Sequence, residues 1–240
     1  MQILFLITAR SGSKRVPGKN LAKIGGISLI GFKAISAQRS RHCARLIIST
    51  DSAAMQEEAR AYGAEAPFLR PAALATDTAT SESVVAHAME WIEEHDGNRY
   101  DAVMILEPAA PFGRASDYDA AVNLMIEHDA NLVVGMRTVV SSTYVGPLDD
   151  TGRMTGIIDK LNVWQAEGRP RLATEYTMNA ALYLVRWDYF KRTGRVYGDR
   201  DRSYGYVMDP HYSIEIDNPI ELHEAEFMVE HGYVDMANWR

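Results

Sequence analysis

The chain has 240 residues, of which 47% are hydrophobic and 24% charged, and this suits one globular domain with a sizeable core. Its formal net charge is −7, so we expect no general nucleic-acid partner, because binding a phosphate backbone requires a basic face. The lone Cys43 excludes an intramolecular disulfide, and neither a secretory signal nor a run of ~20 apolar residues is visible, so we expect a soluble cytoplasmic protein with no membrane partner.

Short apolar runs alternate with helical patterns through the first half of the chain. Strands are predicted at 2–8, 44–50, 101–108 and 131–137, and helices at 28–38, 53–63, 81–95 and 117–128. This alternation predicts an α/β fold with a doubly wound, mostly parallel sheet and helices on both faces. Ligands of such sheets bind at the carboxyl ends of the strands, which is where the loop after the first strand must lie.

That first loop reads ITARSGSKRVPGKN and is strongly cationic. Four cationic side chains lie within ten residues, at Arg10, Lys14, Arg15 and Lys19. Gly12 and Gly18 allow the backbone to approach a ligand closely, and main-chain N–H groups of such loops form anion cradles. The loop lacks both the Walker order and the dinucleotide G-x-G-x-x-G order. Composition alone leaves two interpretations open, a phosphate-binding loop and a solvated basic loop.

The regular pattern breaks over residues 138–178, which mix Ser, Thr, Gly, Pro and charge with few periodic apolar positions. A segment of this length is too long for an idle loop in a compact domain, so we expect an insertion with short elements of its own that binds a partner. Regular order resumes with strands at 180–186 and 205–209 and a last helix from about Pro219 to His231.

A pair of carboxylates stands two residues apart near the end of the chain, in the stretch SIEID. On an extended strand Glu215 and Asp217 face the same way, so both can reach one cation, and oxygen ligands suit Mg²⁺. An exposed acidic edge strand has the same pattern, and the alternation alone does not separate these two interpretations.

Several stretches together resemble one known family over nearly the whole chain. ARSGSKRVPGKN is similar to the signature loop of the acylneuraminate cytidylyltransferases, which make CMP-activated sialic acids and related acidic sugars. RPAALATDTATSES, LEPAAPFGR and YSIEIDNPIEL follow in the order that this family shows. The resemblance implies the nucleotide-diphospho-sugar transferase type of fold, a single domain over 1–240, and a homodimer formed through 138–178.

The resemblance also implies roles for individual residues. CTP contacts fall on Arg10, Ser13, Lys14, Lys19 and Asn20 for the phosphates and nearby groups, and on Arg70 and Ser81 for cytosine and ribose. The cofactor Mg²⁺ falls on Asp217 and Glu215, and Asp217 is the firmer ligand because the family usually has Asp at both positions. The expected catalytic residues are Arg10, Lys19 and Asp217.

The part of the chain that would contact the sugar departs more from the family. Sugar contacts fall on Glu107, Arg169, Arg171 and Asn179, but Glu107 replaces the usual Gln and Ala180 replaces the usual Gly after Asn179. An acidic group beside an anionic sugar requires a cation. Three partners for Glu107 are considered: Arg114, which we rank first, a Mg²⁺ ion, and a cationic amino group on the sugar.

The reaction implied by the resemblance is transfer of CMP from CTP to the anomeric hydroxyl of an acidic 2-keto-3-deoxy sugar, with release of pyrophosphate. The acceptor would be a sialic-acid-like nonulosonic acid or a Kdo-like acid. Two alternatives remain: a nucleotide-binding regulatory paralogue without transfer activity, and a transferase that activates a sugar-1-phosphate with UTP or dTTP.

Overall fold

The computed structural model describes residues 1–166 and 174–240. Its strands are β1 Ile3–Thr8, β2 Lys23–Ile24, β3 Ile27–Ser28, β4 Cys43–Ser49, β5 Ala102–Leu106, β6 Leu132–Val139, β7 Glu175–Arg186 and β8 Ser203–Val207. Its helices are α1 Leu29–Arg39, α2 Ala53–Ala61, α3 Ser81–Asp96, α4 Ala115–Glu127, α5 Thr155–Ala166, α6 Trp187–Thr193 and α7 Pro219–Glu230. No helix in these two ranges is both long and apolar enough to cross a membrane.

The six longer strands form one sheet in the order β4-β1-β5-β7-β6-β8. β7 runs antiparallel to its neighbours β5 and β6, while the other three neighbouring pairs are parallel. β1 and β5 lie inside the sheet, and their residues Ile3–Ile7 and Ala102–Leu106 are buried on both faces, which explains their continuous apolar sequence. The predicted α/β, mostly parallel sheet is confirmed, with one antiparallel strand within it.

Helices cover both faces of the sheet. On one face α1, α2 and α4 pack against alternate β1 residues such as Phe5 and Ile7. On the other face α3 and α6 pack against the intervening residues Leu4 and Leu6. A third apolar cluster joins α7 and the C-terminal Trp239 to α1, where the Trp239 indole N–H donates to Ser36 Oγ at 2.7 Å. The C-terminal segment is thereby held against α1.

Most of the predicted boundaries agree with the structure to within two residues. The largest difference is at β7, which begins at Glu175 rather than at residue 180. The stretch SIEID belongs to no strand of the sheet, in contrast to the strand expected there; a backbone hydrogen bond from Ile216 N to Ala109 O at 2.7 Å links it to the loop after β5. The short stretch WDYFKR forms α6.

The region of the predicted insertion forms an arm between β6 and β7. Among the described residues of the arm, a 3-10 turn is formed by Ser142–Tyr144 and a helix by α5. Glu175 anchors the turn by accepting from Ser142 N at 2.6 Å and from Ser142 Oγ at 2.9 Å. No residue of α5 is buried, so this helix does not pack into the core of its own chain.

Candidate active site

A cleft of about 510 Å³ opens at the edge of the sheet where the parallel strands β1 and β5 end. All seven residues that the sequence analysis assigned to the nucleotide line it: Arg10, Ser13, Lys14, Lys19, Asn20, Arg70 and Ser81. Glu107 and Asp217 line the same cleft. The fold thus brings together side chains from four separate parts of the chain.

The cationic loop forms one wall of this cleft. Gly18 has φ +70°, a left-handed conformation that suits glycine, and it precedes the 3-10 turn Lys19–Leu21. Asn20 is buried and donates from Nδ2 to Arg10 O at 3.1 Å, which closes the loop on itself. Asp51 accepts from Ser11 N at 2.8 Å and from Ser11 Oγ at 2.6 Å. The loop is therefore held from within and from the turn after β4.

Two cations of the loop meet a carboxylate that the sequence analysis did not single out. Asp77 contacts Arg10 Nη1 at 2.8 Å with Oδ1 and Lys14 Nζ at 2.5 Å with Oδ2. Hydrogen bonds from Lys14 and Arg10 hold the pKa of Asp77 below its usual range. Asp77 thus pairs with two cations that we expect to bind phosphate. In the sequence, this contact was indicated only by the presence of an acidic residue within LATDTATS.

Arg70 reaches the cleft from behind β4. It is buried, its Nε donates to Ser49 Oγ at 3.0 Å, and its Nη2 donates to Ser49 O. Burial lowers the pKa of Arg70 to about 10, and the charge of Asp51 partly offsets that effect. Ser81 begins α3, where Thr80 caps the helix by accepting from Ser83 N at 3.2 Å. The contacts with Ser49 position the Arg70 side chain, and the cap at Thr80 fixes the start of the helix that carries Ser81.

Lys19 joins the cationic loop to the C-terminal segment. Its Nζ donates to Ile216 O at 2.6 Å and to Asp217 Oδ1 at 3.1 Å. The lysine side chain is 12% exposed, against 50% for Asp217, so the ammonium sits inside the wall of the cleft and the carboxylate faces outward. One cation and one carboxylate therefore stand side by side at this end of the cleft.

The two expected metal ligands alternate along the chain with two buried isoleucines. Ile214 and Ile216 are buried in the third apolar cluster, which leaves Glu215 and Asp217 on the opposite side. Burial, and then the charge of Asp217, raise the pKa of Glu215. Glu215 lines a neighbouring cleft of about 460 Å³ that shares Asp217 with the first and also contains Arg137. Two adjacent carboxylates that repel each other are a donor set that suits Mg²⁺.

A metal site with three or more protein ligands is not preformed. Across residues 1–166 and 174–240, no group of three or more His, Cys, Asp and Glu side chains is arranged to hold a metal ion. Mg²⁺ usually keeps several waters and binds through one or two carboxylates plus substrate phosphates. Glu215 and Asp217 fit that smaller requirement.

Glu107 directly follows β5 and lines the cleft. Burial and the charge of Glu215 raise its pKa, while Lys33 and Lys19 oppose the increase. Within the described ranges, neither a hydrogen bond nor a salt bridge reaches its carboxylate. Arg114, the partner that we expected first, binds Asp117 instead through two contacts of 2.9 Å.

Two tyrosines that the sequence analysis missed stand near Glu107. Burial, and then the charge of Glu107, raise the pKa of Tyr183 well above its usual range. Burial likewise raises the pKa of Tyr197, and Glu107 adds to that effect. The two rings pack edge to face, with centroids 6.4 Å apart. In the stretch ALYLV, Tyr183 looks like one more residue of a buried strand, so the hydrophobic pattern gave no indication that it lies near the cleft.

The remaining predicted sugar contacts lie elsewhere. Asn179 is fully buried and outside the first cleft; its Nδ2 donates to Ser213 Oγ at 3.1 Å, and its Oδ1 accepts from Ala181 N at 3.1 Å. Ala180 adopts φ +56°, a left-handed conformation in which alanine is strained. Arg169 and Arg171 lie outside the described residues.

Comparisons with known proteins agree with this arrangement. A family model described as cytidylyltransferase matches residues 4–141. The chain is 27% identical to post-translational flagellin modification protein B of Campylobacter coli over 95% of both chains. It is also 27% identical to CMP-N,N'-diacetyllegionaminic acid synthase of Legionella pneumophila, over 96% of this chain and 97% of the relative.

Among solved structures, the fold is similar to that of a CMP:2-keto-3-deoxy-manno-octonic acid synthetase complexed with CTP. The TM-score is 0.68 at 15% identity, with 97% of this chain and 100% of the other covered. At this identity the match supports the fold alone, and it agrees with the sheet described above.

Proposed function

This chain belongs to the cytidylyltransferase family, and we propose that it transfers CMP from CTP to the anomeric hydroxyl of an acidic 2-keto-3-deoxy sugar, releasing pyrophosphate. The observation that carries this proposal is the single cleft in which the cationic loop, Arg70, Ser81, Glu107 and Asp217 meet. The named relative from Legionella, which makes a CMP-linked acidic sugar, supports the choice of acceptor class.

In this proposal the cationic loop binds the triphosphate. Arg10 grips phosphate oxygens through its planar guanidinium, while Lys14 and Lys19 add point charges. Arg10 and Lys19 then stabilise the negative charge that builds on the departing pyrophosphate. The triphosphate must displace Asp77 from Arg10 and Lys14, because one set of donors cannot serve both anions fully. Arg70 and Ser81 lie further along the cleft and would contact the nucleoside.

Asp217 and Glu215 are the residues that would hold a Mg²⁺ ion. When bound, the ion would supply positive charge to the reacting phosphate and lower the pKa of the attacking hydroxyl. Lys19 contacts Asp217 at 3.1 Å and so holds its carboxylate against the wall of the cleft. Burial, and then the charge of Asp217, raise the pKa of Glu215, and a bound cation would favour its ionised form.

The acceptor sugar is proposed to enter beside Glu107, Tyr183 and Tyr197. Tyrosine rings offer both an apolar face to a pyranose ring and a hydroxyl for hydrogen bonding. The sugar carboxylate requires a cation of its own, and Arg169 and Arg171 stay the predicted candidates. Asn179 is proposed to support this wall from behind through Ala181 N.

We further propose that two copies of the chain associate through the arm between β6 and β7. Large apolar side chains are exposed there to an extent that is unusual for a monomer. They include Val140, Tyr144, Val145, Leu148, Met154, Ile158 and Val163 on the arm, Val139 at the end of β6, and Tyr176 and Met178 on β7. A second copy is the occupant that fits, because the same apolar surface on both chains is self-complementary.

Since the donor substrate is CTP, a cytoplasmic nucleotide, we also propose a cytoplasmic location.

Pyrophosphate release tests the proposed function. The enzyme is incubated with CTP, UTP or dTTP and with sialic, legionaminic, pseudaminic or Kdo-type acids, each with and without Mg²⁺. Release that requires both CTP and one of these acids supports the proposal. Release with UTP or dTTP and a sugar-1-phosphate would instead indicate the second transferase class, and CTP binding without release for every acid would indicate a regulatory paralogue.

A further inference from the structure

A lysine lies buried beneath the cleft, and the proposed reaction does not use it. Lys33, in the middle of α1, is 0% exposed. Its Nζ donates to Ala181 O at 2.9 Å and approaches Tyr118 Oη at 3.5 Å. A buried ammonium is costly unless negative charge faces it. Burial lowers the pKa of Lys33 to about 7, and the charges of Glu107 and then Asp117 oppose that effect.

The sheet places Lys33 next to the end of β5. The antiparallel register of β5 and β7 pairs Ala102 with Arg186 and Ile105 with Tyr183. The paired register ends there, and Glu107 and Ala181 each lie two residues beyond this last pair, at the same end of the two strands. The Ala181 carbonyl accepts the Lys33 hydrogen bond. The ammonium therefore lies across the sheet edge from the residue that faces the cleft.

Of the two carboxylates near Lys33, Asp117 already has partners. Arg114 contacts both of its oxygens at 2.9 Å, and Tyr206 Oη donates to Oδ1 at 3.0 Å. Lys19, the other cation near Glu107, is committed to Ile216 O and Asp217. Glu107 is left with unused hydrogen-bond acceptor capacity at the wall of the cleft.

We propose that Lys33 is a positioning residue that holds Glu107 as a carboxylate facing the cleft, and that this carboxylate binds a nitrogen donor, above all an ammonium group, on the acidic sugar. The inference rests on the proposed function, because it requires an acceptor in this cleft. The Glu107 carboxylate is a further anion beside the triphosphate and the sugar carboxylate, and their mutual repulsion is unfavourable. A cationic substituent on the sugar would offset this repulsion by donating a charge-assisted hydrogen bond to Glu107. Glu107 thereby becomes a specificity-determining residue for the acceptor.

The experiment compares acceptors in matched pairs, each pair identical except that an amino group replaces one hydroxyl group of a nonulosonic acid. Pyrophosphate release is measured at neutral pH for the wild type, Glu107→Gln, Lys33→Met and the double variant. We expect the wild type to prefer the amino member of at least one pair by about tenfold or more in kcat/KM, mostly through KM, as a charge-assisted hydrogen bond provides.

Both single variants should lose that preference, and the double variant should lose no more than either, because the two residues act as one unit. The KM for CTP should change by less than about twofold, which general structural damage would not allow. Tyr118→Phe is the matched control: it removes the hydroxyl near Lys33 Nζ without removing a charge, and should keep the preference. If Lys33→Met does not fold, the double variant should, because it leaves neither charge buried alone.

A wild type that prefers no amino member, a Lys33→Met enzyme that keeps the preference, or a double variant that fails to fold would overturn this inference. A wild type that releases no pyrophosphate with any acid is a different result, since it contradicts the proposed function itself.

Discussion

The Lys19 ammonium lies 3.1 Å from Asp217 Oδ1, although 198 positions of sequence separate the two residues. This contact connects the loop after the first strand to the segment before the last helix. It also places a cation that we propose binds phosphate beside a proposed metal ligand.

Lys19→Ala and Arg10→Ala should each lower kcat/KM by about 30-fold or more. Each variant removes a cation from the charge developing on pyrophosphate, and a loss of at least ~2 kcal/mol of transition-state stabilisation corresponds to that ratio. Pyrophosphate release at varied CTP measures the effect. Lys23→Ala, an exposed lysine outside the cleft, serves as the control. Near-native turnover in either cleft variant would show that the loop does not bind phosphate as proposed.

Asp217→Asn should raise the Mg²⁺ concentration needed for half-maximal rate by about tenfold or more. The change keeps the side-chain volume and removes the charge. Removing a residue that hydrogen-bonds to a metal ligand typically lowers metal affinity by about 10-fold or more, and we expect loss of a direct ligand to lower it at least as much. Glu215→Gln should show the same effect, more weakly, because Asp217 borders both clefts. Mg²⁺ titrations of the rate measure both. Full-rate pyrophosphate release from chelated enzyme would contradict the metal assignment.

Lys33 should make the free energy of unfolding depend on pH. Its pKa is about 7 in the folded chain and about 10.5 as the ordinary value, so between these values the unfolded chain binds more protons than the folded one. Stability should therefore rise with pH across this window, by up to about 1.4 kcal/mol per pH unit relative to Lys33→Met. Denaturant unfolding of both proteins at pH 7, 8 and 9 gives the difference. Parallel curves would mean that Lys33 titrates normally.

The apolar arm should hold two copies of the chain together. Val163→Glu places a charge on the exposed face of α5, a helix with no buried residue, and should convert a dimer to a monomer at micromolar concentration. Gln165→Glu adds the same charge to an exposed polar position of that helix and should leave the dimer intact. Light scattering gives both masses. A wild type that is monomeric in an active sample would refute the dimer.

The order and type of the elements could be predicted from the sequence because each strand and helix has its own hydrophobic period. The direction of β7 could not, since an apolar run reads the same in a parallel and an antiparallel strand. The grouping of the expected nucleotide contacts in one cleft could be predicted, because they come from a contiguous loop and from motifs that the fold aligns at one edge of the sheet. Lys33 was missed because one lysine in a helical pattern reads as solvent-facing, and its burial arises from packing between α1 and β7.

Asp77 and Tyr183 likewise could not be identified from the sequence, because their contacts arise only in the folded chain. Asp77 meets Arg10 across 67 positions, and Tyr183 approaches Glu107 through an antiparallel pairing. Neither relationship leaves a local pattern in the sequence. Ala180 is a different case: its place after Asn179 drew attention to the position, and its left-handed φ of +56° shows that the backbone there has the conformation that a glycine would adopt without strain.

The most direct test of the proposed CMP transfer follows the α-phosphorus of CTP. CTP labelled at that phosphorus is incubated with the enzyme, Mg²⁺ and a nonulosonic or Kdo-type acid, and the products are separated by anion exchange. The account predicts that the label appears in a CMP-sugar, that one pyrophosphate is released for each CMP-sugar formed, and that UTP labelled in the same way gives no product. Label that stays in CTP with every acid, or that appears only in free CMP, would contradict the claim.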